Sequence, residues 1–74
     1  MSLLMNFYSV LSECEKRHSK VKIWCSGAYD DYFEGVVERV CMDYVEIKAR
    51  SGDSMYIQIS NIAVVKIIKE GELW

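Results

Sequence analysis

The chain has 74 residues, 51% of them apolar, and a formal net charge of −2 at pH 7. This length allows one domain over residues 1–74, and a core this small rarely supplies more than about 3–5 kcal/mol of net stability. The acidic balance excludes a surface that is basic all over, so any nucleic-acid site must be local. The high apolar share is more than one thin core easily hides, and it favours self-association.

Residues 3–18 are predicted to form an amphipathic helix. The spacing i, i+4, i+7 and i+11 is followed by Leu4, Tyr8, Leu11 and Glu15, with Phe7, Cys14 and His18 beside them, and all but Glu15 fit one apolar stripe. Ser2 can cap the start, and the cations near residue 18 suit the negative end of the helix dipole. The apolar stripe needs a surface to cover, which the rest of the chain must supply.

From Val21 onward the apolar period changes to two, which predicts five short strands. They are expected at residues 21–26, 33–38, 44–50, 55–60 and 62–68. Residues 27–31 and 50–53 are predicted to be turns, and Gly35 marks a sharp bend or close approach. The fold class is therefore mainly β: an N-terminal α-helix, then a strongly bent antiparallel sheet forming a small barrel over residues 21–69. A tail over 70–74 is expected to be mobile unless Trp74 docks on a neighbour.

The three cysteines, Cys14, Cys25 and Cys41, lack C-x-x-C spacing, which argues against a disulfide framework or a zinc site. We expect them to be packing residues in a reducing, cytoplasmic setting. No nucleophile–base pair, metal cluster or phosphate loop is visible, so we expect no enzyme, catalytic residue, metal, cofactor or small-molecule substrate. No stretch approaches ~18 apolar residues, and the first five residues are too short for a signal sequence, so no membrane contact is expected.

The fifth predicted strand is apolar on both faces, which normally means that both faces are covered. Pairing its exposed edge with the next subunit would remove an aggregation hazard, and head-to-tail repetition gives a ring or a filament. The residues expected at this oligomer interface lie on the last two strands: Met55, Ile57, Ile59, Ile62, Val64, Val65 and Ile67.

Three runs carry a resemblance to a known family. Residues 33–40, Phe-Glu-Gly-Val-Val-Glu-Arg-Val, continue through residues 41–47, and Tyr-Ile-Gln-Ile-Ser-Asn-Ile follows at 56–62. With the preceding helix, this order resembles the Sm-like (LSm) proteins, which include the bacterial Hfq proteins and have an SH3-like barrel. The resemblance implies a homo-oligomeric ring, from pentamer to heptamer, that binds single-stranded, often uridine-rich RNA as a chaperone or regulator.

The resemblance places RNA contacts in two loops that line the pore. The matching residues are Met42, Asp43, Tyr44, Ser60 and Asn61. Tyr44 would stack on a base, and Asp43 would stand in, two residues late, for the acidic residue that Cys41 replaces. Ser60 and Asn61 take the place of the family's arginine–glycine pair, and the lysine–histidine pair of Hfq is absent. Both departures remove positive charge from the pore.

A second set of expected contacts is the densest basic cluster: Lys16, Arg17, Lys20 and Lys22. It is either an ordinary solvated face or a rim that meets phosphates around the ring. A rival hypothesis keeps the Sm-like body and the oligomer but gives it no RNA role, as a scaffold or protein-interaction module. The acidic balance and the missing pore cations favour this rival.

Overall fold

A computed structural model describes residues 7–69 of the chain. The elements in chain order are α1 (Phe7–Arg17), β1 (Lys20–Cys25), β2 (Ala28–Val40), β3 (Tyr44–Lys48), β4 (Ser54–Gln58), a short 3-10 helix (Ile59–Asn61) and β5 (Ile62–Ile68). One helix followed by five strands confirms the predicted mainly β class. The predicted helix start at residues 3–6, the Ser2 cap and the tail at 70–74 lie outside the described residues. Within the described range, no helix has the length and apolarity needed to cross a membrane.

The five strands form one antiparallel sheet in the order β4-β3-β2-β1-β5. The long strand β2 belongs to both halves of it. Its first half pairs with β1, where Gly35 lies opposite Val21. Its second half pairs with β3, where Val37 lies opposite Ile47, and this ladder shifts register before Arg39. Within residues 7–69, β4 and β5 are the two edges of the sheet.

Gly35 lies where β2 passes from one partner to the other. A Cβ built on this glycine would lie 2.6 Å from the backbone oxygen of Lys48, and it would also meet a methyl group of Ile47. A side chain here would therefore push β3 off the inner face of β2. The predicted close approach at Gly35 is confirmed.

The core is made of apolar side chains from the helix and all five strands: Leu11, Cys14, Val21, Ile23, Val37, Val45, Ile47, Ile57 and Ile62. The alternation predicted for β1 and β3 is confirmed, because Val21, Ile23, Val45 and Ile47 are all buried. Among the described residues, no polar or charged side chain is buried. Burial raises the pKa of the Cys14 thiol, so Cys14 packs in its neutral form.

The buried face of α1 differs in part from the predicted stripe. Leu11 and Cys14 are buried and Phe7 packs against the core, whereas Tyr8 is 40% exposed. The predicted stripe was therefore wrong at Tyr8. Phe7, Leu11 and Cys14 keep the i, i+4, i+7 spacing. Compared with the predicted stripe, the buried face is turned around the helix axis, away from Tyr8 and toward Phe7. The helix thus presents a narrow apolar face of Phe7, Leu11 and Cys14 to the sheet.

The predicted turn at residues 27–31 is also wrong. The β1–β2 connection consists of Ser26 and Gly27, and β2 already begins at Ala28, which pairs with Cys25. Gly27 has a φ of 82°, a conformation that glycine adopts at little cost. Asp30 and Asp31 therefore lie in a strand. Two strand ends differ as well, because β3 stops at Lys48 and residues 59–61 form the 3-10 helix.

The C-terminus of α1 is closed by a backbone motif centred on His18. The His18 amide donates to the Glu15 carbonyl at 3.2 Å, and the Ser19 amide donates to the Cys14 carbonyl at 2.9 Å. His18 has a φ of 52°. These two bonds around a left-handed residue form a Schellman motif, which satisfies carbonyls at the helix end. Glycine is the usual residue at this position because other residues are strained there.

Replacing His18 with glycine is expected to raise the free energy of unfolding by about 0.5–1 kcal/mol. Relief of ~1–2 kcal/mol of backbone strain exceeds the greater flexibility that glycine gives the unfolded chain. Urea unfolding followed by circular dichroism would measure the change. His18→Ala is the control, because it removes the imidazole but keeps the strained φ, and it should give no gain. A glycine variant less stable than the parent would contradict the strain argument.

Candidate functional site

The predicted loop residues lie together at one end of the sheet. The Ile59 amide donates to the Asp43 carbonyl at 2.9 Å, and Tyr44 lies opposite Gln58. This bond joins the β2–β3 loop to the 3-10 helix, which contains the predicted residues Ser60 and Asn61. Met42, at the tip of the loop, is 89% exposed. The β2–β3 loop and the 3-10 helix, where the predicted RNA contacts lie, are therefore neighbours within one subunit.

We call the β2–β3 loop, the 3-10 helix and the tyrosines beside them the loop cluster; it contains Met42, Asp43, Tyr44, Tyr56, Ser60 and Asn61. Two tyrosines form its aromatic part. The Tyr44 and Tyr56 rings have centroids 5.9 Å apart and meet edge to face at 69°. The Cys41 amide donates to the Tyr44 carbonyl at 2.8 Å. A side-chain hydrogen bond with Cys41 raises the pKa of the Tyr44 phenol, so the ring remains neutral at physiological pH. An exposed, neutral aromatic pair of this kind can stack on a flat ligand.

The charges beside the loop cluster do not suit a phosphate. Arg39 Nη2 lies 3.5 Å from Glu46 Oε1, and the Tyr56 hydroxyl donates to Glu46 Oε2, also at 3.5 Å. The Glu46 side chain is mostly covered, so Arg39 is already paired with an anion that solvent reaches poorly. Asp43 adds a second carboxylate at the loop itself. The cluster therefore offers aromatic surface but little positive charge.

The predicted basic rim lies away from the loop cluster. Lys16 and Arg17 end α1, and Lys20 opens β1, whereas the other end of β1 leads to Ser26, whose amide donates to the Asn61 carbonyl at 2.7 Å. At ~3.3 Å per residue, the two ends of β1 are roughly 17 Å apart. Lys16 is also paired with Glu13 at 3.5 Å. The structure therefore does not join these cations to the loops.

A different surface combines cations with aromatic rings. Trp24 and Lys22 of β1 lie opposite Val64 and Lys66 of β5, and paired residues project from the same side of a sheet. The Tyr32 ring of β2 lies 5.4 Å from the Trp24 ring. Lys22 Nζ lies 4.8 Å from the centre of the Tyr32 ring, in cation–π geometry. We call this surface the β1 outer face; it consists of Lys22, Trp24, Tyr32, Val64 and Lys66.

The β1 outer face is energetically unusual for a solvated surface. Lys22 lies directly opposite Lys66, and like charges in this position destabilise a sheet. Glu34 lies opposite Lys22 on the other side and offsets part of this repulsion. Tyr32 and Val64 are each 46% exposed. A ligand that brings negative charge to the lysines and a flat ring to Tyr32 would relieve the repulsion and cover the apolar surface.

The residues expected at the oligomer interface divide into two groups. Ile57 and Ile62 are buried in the subunit's own core, and three others pack against it: Met55, Ile59 and Val65. Val64 and Ile67 remain exposed, at 46% and 48%. A neighbouring subunit that paired along the backbone edges of β4 and β5 would therefore meet Val64, whereas Ile67 projects from the opposite side of β5.

Sequence reasoning missed Tyr32 and Lys66 as members of a site. Alternation already placed Lys22 and Trp24 on one side of β1, which was the available signal. Their partners depend on which residue of β5 faces which residue of β1, and spacing alone does not give this register. Within residues 7–69, no group of three or more His, Cys, Asp or Glu side chains is placed to hold a metal ion.

No known protein-family profile matches the chain, and no curated protein sequence is similar to it. Its function must therefore be argued from the geometry and chemistry of these surfaces.

Proposed function

We propose that this protein is an Sm-like subunit that assembles head to tail into a ring and binds single-stranded RNA, as an RNA chaperone or regulator. The β1 outer face is the observation that carries the RNA part, and the two open sheet edges support the assembly. The helix followed by five antiparallel strands is compatible with an Sm-like body. In this proposal the bend of β2 at Gly35 brings the sheet close to a closed small barrel.

The β1 outer face has the chemistry that single-stranded RNA requires. Lys22 and Lys66 can meet successive phosphates, while Tyr32 and Trp24 offer ring surface to a base. Stacking of this kind contributes ~1–3 kcal/mol per base and requires bases that are not already paired. Several copies around a ring would add their contributions along one strand. The overall charge of −2 does not oppose this, because the two lysines are concentrated at one place.

Replacing Lys22 and Lys66 together with glutamine is expected to weaken RNA binding and its dependence on salt. Fluorescence anisotropy with labelled uridine-rich and adenine-rich oligonucleotides would give the dissociation constants over a range of salt. Each lost phosphate contact should reduce the slope of log affinity against log salt by about 0.7. Tyr32→Ala should weaken binding by roughly 5- to 150-fold, which corresponds to the loss of one stacked base.

Two control variants separate the β1 outer face from other surfaces. Lys48→Gln removes one exposed lysine of β3 and should leave the affinity within about two-fold. Tyr44→Ala tests the loop cluster. If Tyr44→Ala abolished binding while the double lysine variant bound normally, the RNA would be at the loops and the β1 outer face would be excluded. Absence of binding at low salt would exclude RNA altogether.

The assembly is supported by the two ends of the strand order. Within the described residues, β4 and β5 each have a strand partner on one side. Unpaired strand edges with exposed apolar side chains are templates for pairing with another chain. Joining β4 of one subunit to β5 of the next uses both edges, and it covers the exposed side chain of Val64 on the outer side of β5. Such a contact is heterologous, so its repetition closes into a ring when the rotation between subunits allows it.

The double variant Tyr56→Lys, Val64→Lys is expected to reduce the oligomer to a monomer. The two positions project from the outer faces of β4 and β5, so the new charges would repel across the proposed junction. Size-exclusion chromatography with light scattering measures the mass. The control is Met42→Lys, Ser51→Lys, which adds the same charge at exposed loop positions and should leave the mass unchanged. A parent protein that is monomeric at micromolar concentration would exclude the ring.

A scaffold without an RNA role is the second candidate, and one observation favours it. The loop cluster pairs its arginine with Glu46 and adds Asp43, so the surface nearest the proposed pore repels phosphate. In this reading the exposed rings of Tyr44 and Tyr56 contact protein. An oligomeric parent that binds neither oligonucleotide at low salt would establish this candidate over the first.

A further inference from the structure

A groove lies between α1 and the end of β5. It has a volume of about 260 Å³, is open on one side, and is lined by Glu13, Cys14, Arg17, Ser19 and Ile67. Its base is apolar, because Cys14 is buried and carries a neutral thiol. Ile67 forms an apolar wall and is 48% exposed. The groove therefore has the size and lining to accept one large apolar side chain.

The rim of this groove carries a cation, Arg17, that has no counterion among residues 7–69. Glu13 is paired with Lys16 at 3.5 Å. Arg17 makes no ion pair with any of residues 7–69. A segment that combined an aromatic side chain with carboxylates would therefore match both the apolar wall and the free guanidinium.

The chain itself supplies such a segment. Residues 70–74 read Glu-Gly-Glu-Leu-Trp and continue from β5, whose Ile67 already lines the groove. Five residues reach up to about 17 Å, at ~3.3–3.6 Å each, which is ample for a return to a groove at the strand's own end. Gly71 permits the reversal of direction that this return requires.

We propose that Trp74 of the same chain occupies the groove, with Glu70 and Glu72 beside Arg17. The indole covers Ile67 and packs over Cys14, so the segment fastens the end of α1 to the end of β5. This contact is separate from the β1 outer face, because Ile67 and Val64 project from opposite sides of β5. It holds whether or not the protein binds RNA or forms a ring.

The test uses the full chain with Trp24→Phe, which leaves Trp74 as the sole tryptophan. The expected emission of Trp74 is blue-shifted relative to the urea-unfolded chain, with several-fold weaker quenching by acrylamide. Ile67→Gln should shift the emission to that of a solvated indole. Val64→Gln is the matched control, since it changes a residue of similar exposure on the other side of β5, and it should leave the emission unchanged. Circular dichroism establishes that each variant is folded.

A second variant tests the charged part of the contact without altering the described fold. Glu70→Lys, Glu72→Lys places cations beside Arg17 and should increase quenching of Trp74. A solvated emission in the parent, or emission unaffected by Ile67→Gln, would overturn the proposal. A blue shift that disappears on dilution would also overturn it, because the groove would then hold the Trp74 of a second copy.

Discussion

Replacing Gly35 with alanine is expected to lower the free energy of unfolding by about 3 kcal/mol, at the upper end of the cost of overpacking a core. The new Cβ would lie 2.6 Å from the backbone oxygen of Lys48, which no side-chain rotation can move. The ladder between β2 and β3 must shift to make room. A domain of this size rarely has more than roughly 3–5 kcal/mol in total, so the variant would keep at most about 2 kcal/mol.

Urea unfolding measures this loss of stability. The protomer concentration is held fixed, because any assembly would make the measured free energy of unfolding depend on concentration. A double variant separates the two clashes. Ile47→Leu removes the branched methyl that meets the new Cβ, at a cost below ~1.5 kcal/mol on its own. Gly35→Ala, Ile47→Leu should therefore recover part of the loss, while the clash with the carbonyl remains. If Gly35→Ala stayed within ~0.5 kcal/mol of the parent, β3 would not pass over Gly35 as described.

The strands could be predicted because one face of each is buried. Val21 and Ile23 alternate with Lys22 and Trp24, and the period of two alone places the apolar pair in the core. The β1–β2 turn could not be predicted in this way. Asp30 and Asp31 have strong turn propensity, but the pairs Cys25–Ala28 and Ile23–Phe33 on either side of them keep this stretch in β2 and leave the turn at Ser26 and Gly27. Local propensity fails where a cross-strand partner decides the structure.

Of the two candidate surfaces, one could be predicted from the sequence and the other could not. The loop cluster could be predicted as a neighbourhood, because the β2–β3 loop and the β4–β5 connection emerge at the same end of an antiparallel sheet. The β1 outer face could not be predicted, because it needs the register that sets Lys22 opposite Lys66 and the ring geometry of Trp24 and Tyr32. Sequence gives the side of a strand on which a residue lies, but not the residue that faces it on the neighbouring strand.

Replacing Leu11 with alanine is expected to cost about 2–5 kcal/mol, as for other fully buried leucines. Leu11 is completely buried and lies at the centre of the face that α1 turns to the sheet. Tyr8→Ala, one turn earlier and 40% exposed, is the control and should cost less than ~1 kcal/mol. Thermal unfolding followed by circular dichroism compares the two variants. Equal losses would mean that the helix does not pack on the sheet through Leu11.

The size of the Leu11 effect follows from how α1 is held. A helix of 11 residues is marginal by itself in water, so its stability comes from packing. Its buried anchors are Leu11 and Cys14, and Cys14 is too small to hold the helix alone. Losing Leu11 should therefore free the helix and expose the sheet surface beneath it, including the side of β2 that carries Val37. The helix and the bend at Gly35 thus both stabilise the packing of β2 in the core. Either substitution, Leu11→Ala or Gly35→Ala, should therefore destabilise the helix and the sheet together.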